Sequence, residues 1–462
     1  MHRFFAVLAV LLFAAAAHGQ QSEPFSYDLK VRIEPGTGDL TVRGTLMVPV
    51  SPEAKELSFG LHETFAIRQL KVDGRIARFT FRPGPHTPFN PAAGTVRVRF
   101  PARAEAAHEV RLDIEYDGRL KHIPEWGSLP DQKEAMDDQV NARLVQLASY
   151  SSWYPQVFAF GHPFRIGMEV SLPQGWTAVC SGAKTDARVQ DGRAVTQWAS
   201  PRDFDILIVA APDFRLKTVQ SAGVPVEIYD TQLPAAFVER EAKDLSAVME
   251  LFTKTLGKAE VPGGTVRHVF SPLKKGQGRA GIARAGIIVT SEGRVLEQLA
   301  THPDYSLFQD VAHEIAHFWW NFGADQGDWI NETFAEYFST VAVEKIVSKQ
   351  KFEDVLAYYR RQVGALPADT PPLSRVPFDG SYFVVRYYKG SLLVDHLRRD
   401  LGDDRFFEAA KAFFRQYRGK GIGTAEFRSF WRPRMADPKA FDLWLDGSGG
   451  LPATSADGRA AR

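Results

Sequence analysis

The sequence predicts an α+β protein of two domains, a β-rich N-terminal domain followed by a mixed α/β domain that is mainly helical. The chain has 462 residues, of which 44% are hydrophobic and 24% charged, as in ordinary globular proteins of two or three domains. From Tyr27 to about Thr218, short runs alternate apolar and polar residues between Gly, Pro and Asp, which indicates strands. After Pro234 the apolar residues recur at helical spacing.

The N-terminus has the pattern of a secretory signal. A short basic start at Arg3 precedes an apolar run from Phe4 to Ala17, and Gly19 offers a small residue for cleavage. The run is shorter than the roughly 20 residues that span a bilayer, so we expect no membrane span in the mature chain. The single cysteine, Cys180, allows no intramolecular disulfide. These features predict a periplasmic or secreted protein with a signal peptide over residues 1–19.

The charge balance excludes one class of partner. The 56 basic and 55 acidic side chains nearly cancel, so no overall field would attract nucleic acid. The sequence does not indicate an oligomeric state.

The second domain begins in the helical part of the pattern. The run AAFVEREAKDLSAVMELFTKTLG is amphipathic and lies between Pro234 and Gly257, which indicates a helix. The segments RHVF and GIIVTS indicate strands, and helices resume near Ser306. We therefore predict a β-rich domain over 20–218, a second domain over 219–450 and a flexible tail over 451–462.

A glycine-rich segment precedes the second of these strands. Gly276, Gly278 and Gly281 form a GxGxxG pattern, but they lead into a strand, whereas a dinucleotide-binding motif opens a helix. A loop beside a strand is the favoured interpretation.

Two histidines predict a metal site. His313 and His317 lie four residues apart in SLFQDVAHEIAHFWW, whose apolar stripe indicates a helix, so both imidazoles face one side. Histidines at this spacing bind one zinc ion, and Glu314 between them can act as general base toward water. Histidines in a helical core are the alternative.

A third ligand is available downstream. The segment WINETFAEY is again helical in pattern and carries Glu332 and Glu336 on one face. Either carboxylate could complete the site, while the other accepts a hydrogen bond from a metal-binding histidine. A solvated acidic face is the alternative.

These motifs resemble those of the aminopeptidase N family of zinc peptidases, and the resemblance covers nearly all of the mature chain. HEIAHFWW is similar to the family's HExxHxW, and WINETFAEY is similar to its WLNEGFA. The resemblance implies a saddle-like β-rich domain, a thermolysin-like catalytic domain and one zinc ion per chain. It also implies a short form without the helical C-terminal domain of many members.

The resemblance implies roles for individual residues. Motif context assigns the third zinc ligand to Glu332, although the family's usual spacing from His317 falls on Glu336. A connecting loop can lose residues without moving two packed helices, so context favours Glu332 as ligand and Glu336 as hydrogen-bond acceptor. In RYYKGSLLVDHL, which resembles the family's YEKG segment, Tyr387 is the implied oxyanion donor and Tyr382 its companion.

One family feature is absent. The segment AGIARAGIIVTSE corresponds to the GAMEN segment, whose glutamate binds the substrate amine, but it places Ala283 at that position. Gly281 and Arg284 on this segment are candidate substrate-binding residues, and Arg284 would attract a carboxylate. A solvated loop arginine is the alternative.

The sequence thus predicts an exported zinc metallopeptidase that acts on a peptide or protein substrate. Two alternatives remain: a zinc hydrolase of an ester or epoxide, and a noncatalytic binding protein that retains the fold.

Overall fold

The computed structural model describes ten segments of the chain. They are residues 25–84, 93–101, 108–120, 138–158, 162–259, 261–273, 281–284, 286–322, 328–377 and 382–452. The predicted signal peptide, most of the predicted tail, Gly276 and Gly278 lie outside the described residues.

The N-terminal half is built of strands. In chain order they are Ser26–Glu34 (β1), Asp39–Pro49 (β2), Glu56–His62 (β3), Ala66–Val72 (β4), Arg75–Ile76 (β5), Arg78–Pro83 (β6), Ala93–Arg99 (β7), Glu109–Arg119 (β8), Gln139–Val140 (β9), Val145–Leu147 (β10), Phe164–Pro173 (β11), Thr177–Cys180 (β12), Ala183–Gln190 (β13), Arg193–Asp203 (β14) and Ile208–Ala211 (β15). They form an eight-stranded sheet in the order β13-β14-β11-β1-β2-β8-β4-β5, a four-stranded sheet β12-β15-β10-β9 and a three-stranded sheet β3-β7-β6.

Alternation of buried and exposed side chains explains why these segments form sheets. In β1, for example, Tyr27, Leu29, Val31 and Ile33 are buried, while the residues between them face outward or are half-buried. One face of each sheet therefore contributes to a shared apolar core. The predicted β-rich N-terminal domain is confirmed.

The second half contains one sheet and a group of helices. Its strands are Arg215–Ser221 (β16), Val224–Asp230 (β17), Val266–Ser271 (β18), Ile282–Arg284 (β19) and Ile287–Ser291 (β20), in the order β16-β17-β18-β20-β19. Its α-helices are Ala235–Leu256 (α1), Glu292–Thr301 (α2), Phe308–Ala316 (α3), Asp328–Ala342 (α4), Lys349–Gly364 (α5), Gly390–Leu401 (α6), Asp403–Tyr417 (α7), Thr424–Trp431 (α8) and Pro438–Asp446 (α9). The predicted mixed, mainly helical domain is confirmed.

The predicted division between the domains falls within a strand of the five-stranded sheet. The predicted division between 218 and 219 falls inside β16, which pairs along its length with β17 in the sheet of the second half. The alternation of β16 resembles that of the preceding strands, so periodicity alone could not separate them. The first strand of this sheet begins at Arg215, and the division at 218/219 stays a prediction.

The helices of the second half enclose the elements that matter for function. Helix α4 is buried on nearly all sides, and α3 packs against both α4 and α1. A helix that is buried around most of its circumference lies in a core. Among the described residues, no helix combines the length and apolarity needed to cross a membrane.

Candidate metal centre

Two packed helices bring the predicted metal-binding side chains together. Helix α3 contains His313 and Glu314, and His317 directly follows its last residue. Val311 and Ile315 anchor α3 in the core, so its histidines face the adjacent helix α4. The amphipathic spacing of α3 therefore determines where both imidazoles point.

Three donor atoms lie at metal-binding separations. His313 Nε2 lies 3.3 Å from Glu332 Oε2, and His317 Nε2 lies 3.5 Å from the same oxygen. The three ligand atoms all lie within 4.8 Å of one another. Tetrahedral bonds of about 2.0–2.1 Å place neighbouring ligand atoms roughly 3.3 Å apart. His313, His317 and Glu332 therefore fit one transition-metal ion.

The carboxylate of Glu332 needs a cation. Its Oε2 is buried and accepts no hydrogen bond from any described residue. Burial raises the pKa of Glu332, but His317 and His313 outweigh burial and hold that pKa well below its usual range. A buried carboxylate oxygen without a donor is costly unless a cation binds it. Two imidazoles and one carboxylate, with a fourth position open, form the donor set of a catalytic zinc site.

A hydrogen-bond chain orients the first histidine. His313 Nδ1 donates to Glu336 Oε2 at 2.7 Å, and the Tyr359 hydroxyl donates to the other oxygen of Glu336. Gln309 Nε2 donates to the Tyr359 hydroxyl at 2.9 Å. Because Glu336 accepts from Nδ1, a neutral His313 carries its lone pair on Nε2, which faces Glu332.

The second histidine has a backbone partner. His317 Nδ1 donates to the carbonyl oxygen of Trp320 at 3.1 Å. A carbonyl can only accept, so this contact also leaves Nε2 as the free nitrogen. Both imidazoles are thus held in the tautomer that a metal requires.

Glu314 lies against the strand at the edge of the five-stranded sheet. A Cβ atom added to Gly281, just before β19, would lie 2.5 Å from Glu314 Oε1. Only a residue without a side chain allows this approach. Gly281, the candidate from the glycine-rich segment, therefore packs its backbone against the predicted general base.

Tyr387 lies beside the histidines. It belongs to the π-helical turn Val384–Lys389, which leads into α6, and π turns are frequent at functional sites. Its ring is nearly parallel to that of His313, with centroids 5.5 Å apart, and stacks on Phe383 at 4.1 Å. Burial, followed by the negative charge of Glu332, raises the pKa of Tyr387 well above its usual value. The phenol is therefore protonated and able to donate. Tyr382, its predicted companion, packs against the same core.

A buried lysine fixes the end of this turn. The Lys389 Nζ donates to the carbonyl oxygens of Gly447 and Gly449, each at 2.7 Å. Burial lowers the pKa of Lys389 to about 8. The C-terminal segment after α9 therefore clamps the turn that carries Tyr387.

Arg284 has a partner in the other domain. Its Nε donates to Asp205 Oδ2 at 2.6 Å, its NH1 donates to the Ala283 carbonyl, and its guanidinium lies over the ring of Tyr150. Asp205 also accepts from the Ser149 backbone and hydroxyl. These contacts join β19 to the β-rich domain, so the substrate-binding role of Arg284 stays a prediction that they do not support.

Sequence reasoning missed Tyr359 and Gln309. Tyr359 lies on α5, 23 residues from Glu336, and Gln309 lies 50 residues from Tyr359. No local spacing links them, and only the packing of α3, α4 and α5 brings them together. Gln309 is one of several polar residues on α3, so the sequence offered no signal that singled it out.

Comparison with known proteins agrees with this geometry. Residues 280–437 match the model of the peptidase family M1 domain. A solved M1 zinc metallopeptidase from Deinococcus radiodurans, bound to the substrate Tyr-Ser-Ala, is 18% identical with a TM-score of 0.72, over 93% of this chain and 96% of that one. Yeast LTA4 hydrolase in complex with bestatin is 15% identical with a TM-score of 0.68, over 93% of this chain and 68% of that one.

Proposed function

We infer that this chain is an aminopeptidase N-like member of peptidase family M1. On that premise, we propose that it is an exported zinc-dependent metallopeptidase that hydrolyses peptide bonds. The observation that carries the proposal is the convergence of His313, His317 and Glu332 around one point, with Glu314 beside it. Zinc supplies, when bound, the Lewis acidity that activates water and polarises the scissile carbonyl.

Each neighbouring side chain has a step in this hydrolysis. Glu314 accepts a proton from the attacking water and returns it to the leaving amine, as a general base and then a general acid. The Tyr387 hydroxyl donates a hydrogen bond to the oxyanion that develops on the carbonyl. Glu336 holds His313 in place throughout.

The edge strand favours a peptide as substrate. β19 pairs with β20 on one side, and no strand among the described segments pairs with its other side. An extended peptide can add to such an edge through backbone hydrogen bonds. Because Gly281 brings this edge against Glu314, a peptide bound there would pass the general base.

The decisive experiment separates metal binding from catalysis. The purified protein should bind about one zinc ion per chain and lose peptide hydrolysis to a chelator. Glu314→Gln should retain zinc while kcat falls by about 10² or more, since only the base is lost. A protein that binds no zinc, or a Glu314→Gln variant with full activity, would refute the proposal. Hydrolysis of ester or epoxide substrates alone would indicate the alternative hydrolase.

We further propose that this peptidase does not require a free substrate amine. Ala283 occupies the position of the family's amine-binding glutamate. The one charged side chain of β19 is the cationic Arg284. Glu292 is fully buried and accepts from the backbone nitrogens of Thr231 and Gln232, so it is already committed. An ammonium beside β19 would therefore find no compensating carboxylate on that strand.

Matched peptides with free and acetylated N-termini test this specificity. We expect kcat/KM for the acetylated peptide to equal or exceed that for the free amine. A strong preference for the free amine would show that another acid binds it.

Export is also part of the proposal, supported by the signal-like pattern of residues 1–19. N-terminal sequencing of the protein from the exported fraction should begin at Gln20. A chain that keeps residues 1–19 and stays in the cytoplasm would contradict export.

A further inference from the structure

A groove on the β-rich domain carries an excess of arginine. It lies on the sheet β3-β7-β6, has a volume of 680 Å³ and is lined by Arg78, Arg82, Arg97 and Arg99, among others. In β7, Val96 and Val98 are fully buried while Arg97 and Arg99 are exposed, so these arginines form the solvent face of the sheet. Nothing in the proposed peptidase mechanism uses this face.

The register of the strands concentrates the positive charge. Arg78 of β6 lies directly opposite Arg99 of β7, and two residues further along, Thr80 lies opposite Arg97. Like charges placed directly opposite each other in a sheet destabilise it. The chain as a whole has a net charge of only +1, so this concentration is local.

The described residues do little to neutralise the groove. Glu56 forms an ion pair with Arg97 at 3.6 Å, which is too long for a hydrogen bond, and no other described carboxylate pairs with the groove arginines. Arg78, Arg82 and Arg99 make no ion pair with any described carboxylate. By contrast, exposed arginines of the large sheet do have partners: Arg43 pairs with Glu115 and Arg32 with Glu34.

We propose that this groove, here called the arginine groove, binds a ligand that carries two or more phosphate groups. Arginine presents a planar fork that matches phosphate oxygens in two parallel hydrogen bonds. Arg97 and Arg99 lie two residues apart, about 7 Å, and Arg78 and Arg82 four residues apart, about 13 Å along a strand. Such spacings suit several linked phosphates better than one ion, and the volume is that of a small-molecule site.

Binding measurements with defined probes test the proposal, and they do not depend on peptidase activity. Inorganic tripolyphosphate is titrated calorimetrically, and vesicles of phosphatidylcholine with or without a phosphatidylinositol bisphosphate are tested by sedimentation. Citrate and hexaglutamate serve as carboxylate probes. The variant Arg78→Gln/Arg99→Gln is compared with the control Arg32→Gln/Arg43→Gln, which removes the same charge from paired arginines of the large sheet.

The two sources of phosphate give different supporting results. Tripolyphosphate binding that weakens about tenfold or more in the groove variant, but not in the control, would indicate a soluble ligand. Vesicle binding alone, with the bisphosphate lipid required and the same dependence on the groove, would indicate a lipid head group. Both should weaken with added salt.

Three results would overturn the proposal. These are the absence of binding to both phosphate probes, an equal loss in the control variant, and binding of citrate or hexaglutamate as tight as that of tripolyphosphate. Thermal unfolding of each variant shows that the fold is retained. Peptide hydrolysis is measured separately, so failure here would leave the proposed function intact.

Discussion

Replacement of the two glutamates on α4 should weaken zinc binding to different extents. Glu332 Oε2 lies within 3.5 Å of both histidine Nε2 atoms, whereas Glu336 contacts only the opposite nitrogen of His313. Structural zinc sites with four protein ligands contribute about 10–16 kcal/mol, so each protein ligand accounts for about 2.5–4 kcal/mol. Glu332→Ala should therefore weaken zinc binding roughly 10²–10³-fold.

Loss of the histidine's outer partner should cost less. Glu336→Ala removes the acceptor of His313 Nδ1 but leaves three ligands, which corresponds to about 10- to 100-fold in metal affinity. Tyr359→Phe removes only a donor to Glu336 and should cost less than Glu336→Ala. The exposed Glu353→Ala on α5 is a charge-matched control without contact to the site.

Competition with a zinc-binding dye gives the affinity of each variant, and thermal unfolding of the metal-free proteins shows that each remains folded. The expected order of loss is Glu332, Glu336, Tyr359 and then Glu353. A larger loss for Glu336→Ala than for Glu332→Ala would show that sequence spacing, rather than motif context, identifies the ligand. It would refute the assignment of Glu332.

Two further substitutions test the neighbouring groups. Tyr387→Phe should retain zinc and KM but lower kcat about 10²-fold, because its hydroxyl acts on charge that develops only in the transition state. If kcat were unchanged while chemistry is rate-limiting, the role of Tyr387 would be only to pack against Phe383. Gly281→Ala should lower kcat while zinc content persists, because the added Cβ displaces the Glu314 carboxylate that it would approach to 2.5 Å. Full activity of Gly281→Ala would show that this carboxylate shifts without consequence.

Local patterns account for the part of the site that could be predicted. His313 and His317 lie one helical turn apart, and the face of α4 that carries Glu332 follows from its apolar residues. The packing of α3 against α4 then brings the two faces together. The β-rich and helical halves could also be predicted from the sequence, because alternation and helical spacing are local properties.

Contacts between distant residues could not be predicted. The ion pair of Arg284 with Asp205 spans 79 residues and joins two domains, so Arg284 in the sequence resembled an exposed loop arginine. Tyr359 reaches Glu336 only because α5 packs near α4. The pairing of β16 with β17 could not be predicted either, because hydrogen bonding between the strands determines it and composition does not.

The two hydrogen bonds of Lys389 have a consequence for when the site folds during synthesis. Its two acceptors, the carbonyls of Gly447 and Gly449, are synthesised 58 and 60 residues after it. Until these carbonyls emerge from the ribosome, the ammonium of Lys389 has no acceptors that would compensate its desolvation on burial. The turn with Tyr387 therefore cannot adopt its folded conformation. Domains formed first on a nascent chain lie toward its N-terminus. The nascent chain would thus carry its zinc ligands before the turn with Tyr387 is set, which delays hydrolysis until the segment after α9 has been synthesised.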